Sequence, residues 1–537
     1  MAASLQDVSA ALPRAPRSVR REPRPLGAIA RAVLPSFGSL TLLLVVYVLF
    51  TNNYRFLQDS DTGWHIRTGD WIRQTGSIPR TDIFSFTVAN QPWFAWEWLT
   101  DVAMSALHIY FGLAGVACAA WLVLLAAYAL LFRTMQQRSA DPIVSCALTV
   151  FAAVASIVHW LARPHVVSIL LLVLWLVLVE NHRRYRSRHT LRMIYGAPLL
   201  IALWANLHGA FAVTFALLVI YAAGEWLELA VTGRWREWRV IVPYVTTAAL
   251  SAVAALFTPY GFALYGHLIR YLGDKQLLAL IDEFKSPDFH SVDGKLIEIL
   301  LVLAIAAAVR AARQCRFVEV GLVALWSHMT LQSERHVTLA VIVLTPIIAE
   351  QGTEALRSLI ARWDKFDRVR RWYGGIRRLD RQLNGAFVAV LVFIVLTGLL
   401  TQPAGAGIFG NSFSAKRFPV EAATFIESQL VAGKLSGKVF AADQFGGYLI
   451  YRFAPRVKVF VDGRSDLYRQ STVFPVLEDM NRLAQVRSDW AAILARYEIE
   501  WMLLQRDEPL SLMAQQSGAW QVAHSDATAQ ILIRRER

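Results

Sequence analysis

The sequence predicts an α-helical, multi-spanning membrane protein with about eleven transmembrane helices and a small extracytoplasmic α/β domain at its C-terminal end. Three observations predict it. Of 537 residues, 55% are apolar and only 18% are charged, with a mean hydropathy of +0.40. An ordinary soluble domain carries about 25% charged residues. Apolar runs near the length of a bilayer crossing recur between residues 33 and 402. Beyond 402 they give way to short apolar stretches broken by Gly, Pro and charge. The same figures exclude a disordered chain, a collagen and a coiled coil. Cys118, Cys146 and Cys315 are scattered and form neither a CxxC pair nor a disulfide framework.

Segment 1–32 contains Arg14, Arg17, Arg20, Arg21, Arg24 and Arg31 and several prolines. It is expected to be a disordered, basic cytoplasmic tail. The run at 33–51 is too long for a signal-peptide core and lacks a small-residue cleavage site, so it reads as a retained first span. Further spans are expected at 113–132, 142–161, 166–180, 194–208, 210–230, 240–257, 296–312, 317–332, 336–350 and 384–402. These complete a transmembrane domain over 33–402, with a span count between nine and twelve.

Charge placement tests this order. With the N-terminus inside, the clusters around Arg133 and Arg138, Arg183 to Arg192, Arg234 to Arg239, Arg310 to Arg316 and the stretch 357–381 all fall on one side. That is the positive-inside pattern. It accounts for the net charge of +14 without nucleic acid. An odd number of spans places 403–537 outside. There, strands are expected at 438–440, 448–451, 457–461 and 501–504, with helices at 420–430 and 490–497.

Candidate chemistry gathers at the outer ends of the spans. The first outer loop, 52–98, holds Asp59 and Asp61, then His65, and closes on Glu97 among Trp93, Trp96 and Trp98. Two carboxylates two residues apart can share a divalent cation or a proton, and one can act as a general base. The same pattern suits a plain N-cap for a helix running through Trp71. His65 lies four residues after Asp61, on one face if the stretch is helical. Other outer ends carry Arg163 and His165, Asn206 and His208, Glu283, and Arg335 and His336. Each alone suits a helix-end residue. Together they suit a cationic pocket for a phosphate or pyrophosphate, with the arginines offering fork geometry. The tryptophans suit an interfacial belt, and one or two could stack on a sugar ring. P-loop, GxSxG, HExxH and dinucleotide fingerprints are missing from suitable contexts, which leaves ATP-driven transport and those hydrolase chemistries unsupported.

The stretch Asp59–Asp61 with Trp64-His65, Gly69, Ile78-Pro79, Phe84-Ser85, Trp93 and Glu97-Trp98 resembles the first outer loop of bacterial multi-spanning proteins of the GT-C glycosyltransferase type. Arg163-Pro164, Asn206-Leu207-His208-Gly209, Pro259-Tyr260-Gly261, Glu283-Phe284 and Arg335 fit the same group. So do Gly446-Gly447-Tyr448-Leu449 and Val461-Asp462-Gly463-Arg464. The resemblance spans about 40–510.

It implies an enzyme of the bacterial inner membrane that transfers a sugar from a polyprenyl-phosphate-linked donor to a glycan, lipid or protein acceptor of the envelope on the outer face. Asp59 and Asp61 would be the catalytic carboxylates. His65, Glu97, Arg163, His165, Asn206, His208, Glu283, Arg335 and His336 would form the substrate and phosphate shell. Asp59 and Asp61 permit a divalent cation such as Mg or Mn without demanding one. The outer domain would cover the site's mouth or recognise the acceptor, although 462–464 also suits an ordinary turn after a strand. Two other functions fit the same residues: a transporter or flippase for lipid-linked saccharides, and a non-catalytic partner in envelope polysaccharide assembly.

Overall fold

The structure, a computed structural model, describes residues 27–362, 367–383, 410, 412–471 and 474–535, with scattered positions between 385 and 394. Most of the expected tail at 1–32 and most of the expected span at 384–402 lie outside the described residues. Among the described residues, six helices are long and apolar enough to cross a membrane: Ala28–Thr51, Trp98–Gln137, His165–Tyr185, Arg188–Leu207, Gly209–Val231 and Glu334–Arg362. Four more expected spans are helical but shorter or more charged, at Pro142–Ala155, Val242–Ala254, Val292–Arg313 and Phe317–Gln332. The chain is thus mostly helical and built to cross a membrane several times, with a small C-terminal sheet.

Local chemistry sets where these helices begin and bend. Asp141 accepts the Ile143 amide ahead of Pro142, and Ser187 with Thr190 forms a capping box. Gly112, at φ 65° and ψ −166°, breaks the helix Trp98–Gln137. This left-handed position, open to glycine, separates an outer arm bearing exposed Ile109, Tyr110 and Phe111 from the apolar run expected at 113–132.

Five helices carry or directly border most of the functional side chains: α1 (Asp61–Thr75), α2 (Trp98–Gln137), α3 (His165–Tyr185), α4 (Arg188–Leu207) and α5 (Val337–Arg362). α1 belongs to the first outer loop. It packs against the outer arm of α2, where Gly69 meets the Asp101 backbone with no room for a side chain.

The C-terminal domain holds a four-stranded sheet, β1 (Lys438–Ala441), β2 (Ile499–Gln505), β3 (Trp520–Ser525) and β4 (Ala529–Arg534), in the order β1-β2-β4-β3. β1 and β2 run parallel and the other pairs antiparallel. The helices expected at 420–430 and 490–497 form as Val420–Val431 and Trp490–Arg496. The stretch 448–451, expected as a strand, instead lies in the helix Asp443–Phe453, here α6. Tyr448, Leu449 and Ile450 are all buried, and a short apolar run buried all round has no period that distinguishes helix from strand. The expected strand at 457–461 lies outside the sheet. It forms only an isolated bridge there, in which Val459 pairs with Ser85 of the first outer loop.

Candidate active site

At the end of the bundle that the charge pattern predicts to be the outer one, Asp59 serves two purposes. Its Oδ1 accepts the Asp61 amide at 2.8 Å, as a cap would, and its Oδ2 meets Arg163 Nη1 at 2.9 Å. Asp61 Oδ2 meets Arg163 Nη2 at 3.0 Å, and Glu283 Oε1 meets Nη1 at 3.1 Å. Glu283 then reaches Arg335 at 3.6 Å, whose guanidinium lies 5.0 Å from the centre of the Phe284 ring. Arg163 stands just before α3, and Arg335 in the single turn before α5. Four segments distant in sequence therefore converge on one pair of guanidiniums.

Beside them runs a polar chain. His65 Nδ1 is 2.6 Å from Asp101 Oδ1, and its Nε2 is 3.7 Å from Glu97. Glu97 lies 3.4 Å from His208 Nε2. His208 Nδ1 bonds Ser168 at 2.8 Å, and Ser168 accepts from Trp204 Nε1 at 2.7 Å. His65 shares α1 with Asp61, but its partners are Asp101 and Glu97 rather than Asp61.

Two cavities meet here. One, of about 350 Å³, is walled by apolar side chains including Ile169, Val213, Leu325, Trp326, Met329 and Leu339, with His159, His165, His208 and His336 on its lining. The other, of about 400 Å³, is polar. It lies between Asp59, Asp61, Trp64 and Trp93 on one side and Asp443, Gly463, Arg464 and Asp466 of the outer domain on the other. Both are lined by Trp96, Glu97, Arg163, Tyr271, Glu283 and Arg335. Asn206 lines neither. Its amide is spent on Trp98 Nε1 at 2.9 Å and on the carbonyls of Ala202 and Phe257.

Burial drives the titration of the loop carboxylates. It pushes Asp61 up to about 8, against the pull of Arg163 and with the help of Asp59 and Asp462. It pushes Glu97 up to about 7. Burial would also raise Glu283, but Arg163 and Arg335 outweigh it and hold that carboxyl well below the usual range. A carboxyl that titrates near neutrality beside one held ionised is a pattern of acid–base sites. Asp59 and Asp61 converge on Arg163, so the place a shared cation would need is filled by a guanidinium. As arranged, the pair does not fit a metal, and among the described residues no group of three His, Cys, Asp or Glu side chains could hold one.

The outer domain also forms a wall of the site. Arg464 clamps Asp462 through Nε and Nη2, at 2.8 and 2.7 Å, and reaches Asp82 of the first outer loop at 2.8 Å. Its guanidinium lies 4.5 Å from the Trp93 ring centre. The sequence reading did not select Asp82, Asp101, Asp443 or Asp466 as site residues. Only the spacing of Asp101 four residues after Glu97 on one helix face could have raised it.

At the opposite end of the bundle, the basic residues assigned to topology carry a second organisation. Arg138 pairs with Glu180 and Glu350 at 3.2 Å, and Arg183 with Glu319 at 2.7 Å and Glu228 at 2.9 Å. Arg184 meets Glu350, Arg186 meets Glu225, and Arg316 meets Glu319 and Glu350. Glu180 lies fifteen residues along α3 from His165, about 22 Å at helical rise.

No protein-family model and no curated protein matches the chain. Solved structures do. The archaeal oligosaccharyltransferase AglB from Archaeoglobus fulgidus, in complex with an inhibitory peptide and a dolichol-phosphate, superposes with a TM-score of 0.53 at 11% identity, over 87% of this chain and 69% of that one. ArnT from Cupriavidus metallidurans in the apo state superposes with a TM-score of 0.50 at 13% identity, over 92% and 97%. The chain is a membrane protein of GT-C-like fold. At these identities the likeness establishes the architecture, and the GT-C resemblance read from the outer-loop residues is borne out at that level.

Proposed function

We propose that this GT-C-like protein is a membrane glycosyltransferase that moves a sugar from a polyprenyl-phosphate-linked donor to an envelope acceptor, at the outer face of the bacterial inner membrane. The observation that carries this reading is the meeting of an apolar and a polar cavity at Arg163 and Arg335. A lipid-linked sugar has the same division, with an apolar chain, an anionic joint and a polar head. In this reading the chain enters the apolar cavity, the phosphate lies at the two arginines, and the sugar projects beneath Asp61. About eleven spans, an inside N-terminus and an outside domain at 403–537 complete the arrangement.

The chemistry follows from the groups present. Asp61 takes the acceptor proton as the acceptor oxygen or nitrogen attacks the anomeric carbon. The bond from that carbon to the phosphate oxygen breaks, and the phosphate leaves with the electron pair. Arg163 and Arg335 offset the charge that grows on it, where fixed cations help most. Asp59 holds Arg163 and the start of α1, while Glu97, His65 and His208 brace the cavity rim. Glu283 keeps the arginine pair together as an anion until the phosphate replaces it. His165 and His336 line the carrier's cavity.

A flippase would need the inner end to open, and the interlocked arginines and glutamates there weigh against it. The test is mass spectrometry of lipid-linked sugars and envelope glycans in a deletion strain complemented with wild type, Asp59→Asn or Asp61→Asn. An accumulated donor and a missing glycan with Asp61→Asn are expected. Full transfer by both variants would falsify the assignment.

A further inference from the structure

The seam between the first outer loop and the outer domain is built for close approach. A methyl group on Gly463 would overlap the Asp61 carboxylate, and one on Gly447 would overlap the Ser60 carbonyl. A methyl on Gly63 would meet the Gly447 carbonyl at 2.5 Å and Tyr451 Cβ at 2.8 Å. Side chains would prise α1 from α6 and from the turn at 462–464. The seam is also tied along its length. Val459 N–H donates to the Phe84 carbonyl at 3.0 Å and Phe86 N–H to the Val459 carbonyl at 3.1 Å, Thr87 donates to the Phe460 carbonyl at 2.6 Å, and Arg67 donates to the Tyr451 carbonyl at 2.7 Å. The turn itself is rigid. Arg464 is 3% exposed, held edge-on by both oxygens of Asp462 and by Asp82, with Tyr468 donating to the same Asp462 at 2.7 Å.

A mobile cover would not need glycines packed onto the carboxylate it covers, nor a buried ion pair crossing to the loop beneath. We propose that the outer domain is a fixed part of the transfer site, in which Gly463 buttresses the Asp61 carboxylate and Arg464 is the positioning residue that holds both Gly463 and Trp93 in place. This rests on the reading of Asp61 as the base. Arg464 acts through its neighbours: its fork aims the turn at Asp61, and its face sets the plane of Trp93 in the polar cavity wall. Lysine would keep the charge and lose the fork.

The test uses the full chain purified in detergent and three readouts. These are the thermal midpoint, the Kd for polyprenyl phosphate, and sugar transfer in a complemented deletion strain followed by mass spectrometry. Gly463→Ala is expected to lower the midpoint by about 3 °C or more in the wild-type background, and by much less beside Asp61→Ala, where the clash is gone. Arg464→Lys, which adds no bulk at the seam, is expected to cut transfer at least about tenfold with the Kd unchanged. Equal midpoint losses in both backgrounds, or full transfer by Arg464→Lys, overturn the proposal. A parallel loss of transfer and of polyprenyl phosphate binding in Arg464→Lys also overturns it, because that marks a general structural role. Full transfer by Asp61→Asn with the midpoint coupling intact would instead break the base assignment and leave the buttress standing.

Discussion

At the inner end of the bundle, five arginines and five glutamates interlock. Arg138 is 4% exposed, and the space beside it is about 10 Å³. At the outer end, two arginines face three carboxylates beside cavities of about 350 and 400 Å³. Both ends use the same side-chain chemistry. Charges matched in number satisfy one another and close the inner end. At the outer end burial lifts a carboxyl until it titrates near neutrality, and the arginine pair can exchange one anion for another. Burying an ion pair costs desolvation on both partners, which mutual contact offsets only when the geometry is complete.

Substitutions can break this comparison or sharpen it. Asp61→Asn is expected to cost the most, about 10²- to 10⁴-fold in transfer, with polyprenyl phosphate still bound; turnover in vesicles beside a binding measurement checks it. Arg138→Ala is expected to act on stability alone, by about 3–5 kcal/mol, because Glu180 would lose its shorter arginine contact and Glu350 one of its three, with both carboxylates still buried. Denaturation of the purified protein would read that loss, and transfer per folded molecule should not change. If Arg138→Ala abolished transfer in folded protein, the two ends would not be separable in function.

Arg163→Lys should weaken polyprenyl phosphate binding by about 1.5–3 kcal/mol, since it keeps a charge but loses the fork across Asp59, Asp61 and Glu283. Isothermal titration would show it. Glu283→Gln is a smaller change of opposite sign. With the competing anion removed, the same binding should tighten by about tenfold, or about 1.4 kcal/mol.

The comparison also predicts a dependence of stability on pH. Asp61 titrates at about 8 when folded, against an ordinary 3.8. The folded state therefore keeps a proton that the unfolded chain releases between those values. Its contribution is full below about 4 and is lost as pH rises towards 8. Melting curves across that range should show a slope that Asp61→Asn reduces.

Much of the architecture was legible along the chain. Apolar runs at 166–180, 194–208 and 210–230 became helices long and apolar enough to cross a membrane, because a bilayer rewards continuous apolar length whatever its neighbours are. The bend of α2 at Gly112 falls at the residue before the expected span, although no feature of the sequence was read as a bend there. Among candidate site residues, Asp59, Asp61, Glu97, Arg163, Glu283 and Arg335 line one polar cavity, because the segments that bear them meet at one end of the bundle. Asn206 does not join them, since a buried amide takes whatever partners its neighbours offer, here Trp98 and two carbonyls.

By itself the sequence determined where the chain is apolar, where it is basic, and hence that it crosses a membrane and ends in a separate, more polar domain. Those properties are local sums of transfer free energy and charge, and they survive any arrangement of the helices. Tertiary structure alone decided that Glu180, Glu319 and Glu350 neutralise the inner arginines. It alone decided that 448–451 is helical and that Gly463 stands against Asp61. Each of these is a contact between segments far apart in sequence. No pattern within either segment specifies the partner, because the energy of a buried ion or a missing side chain depends on what stands opposite.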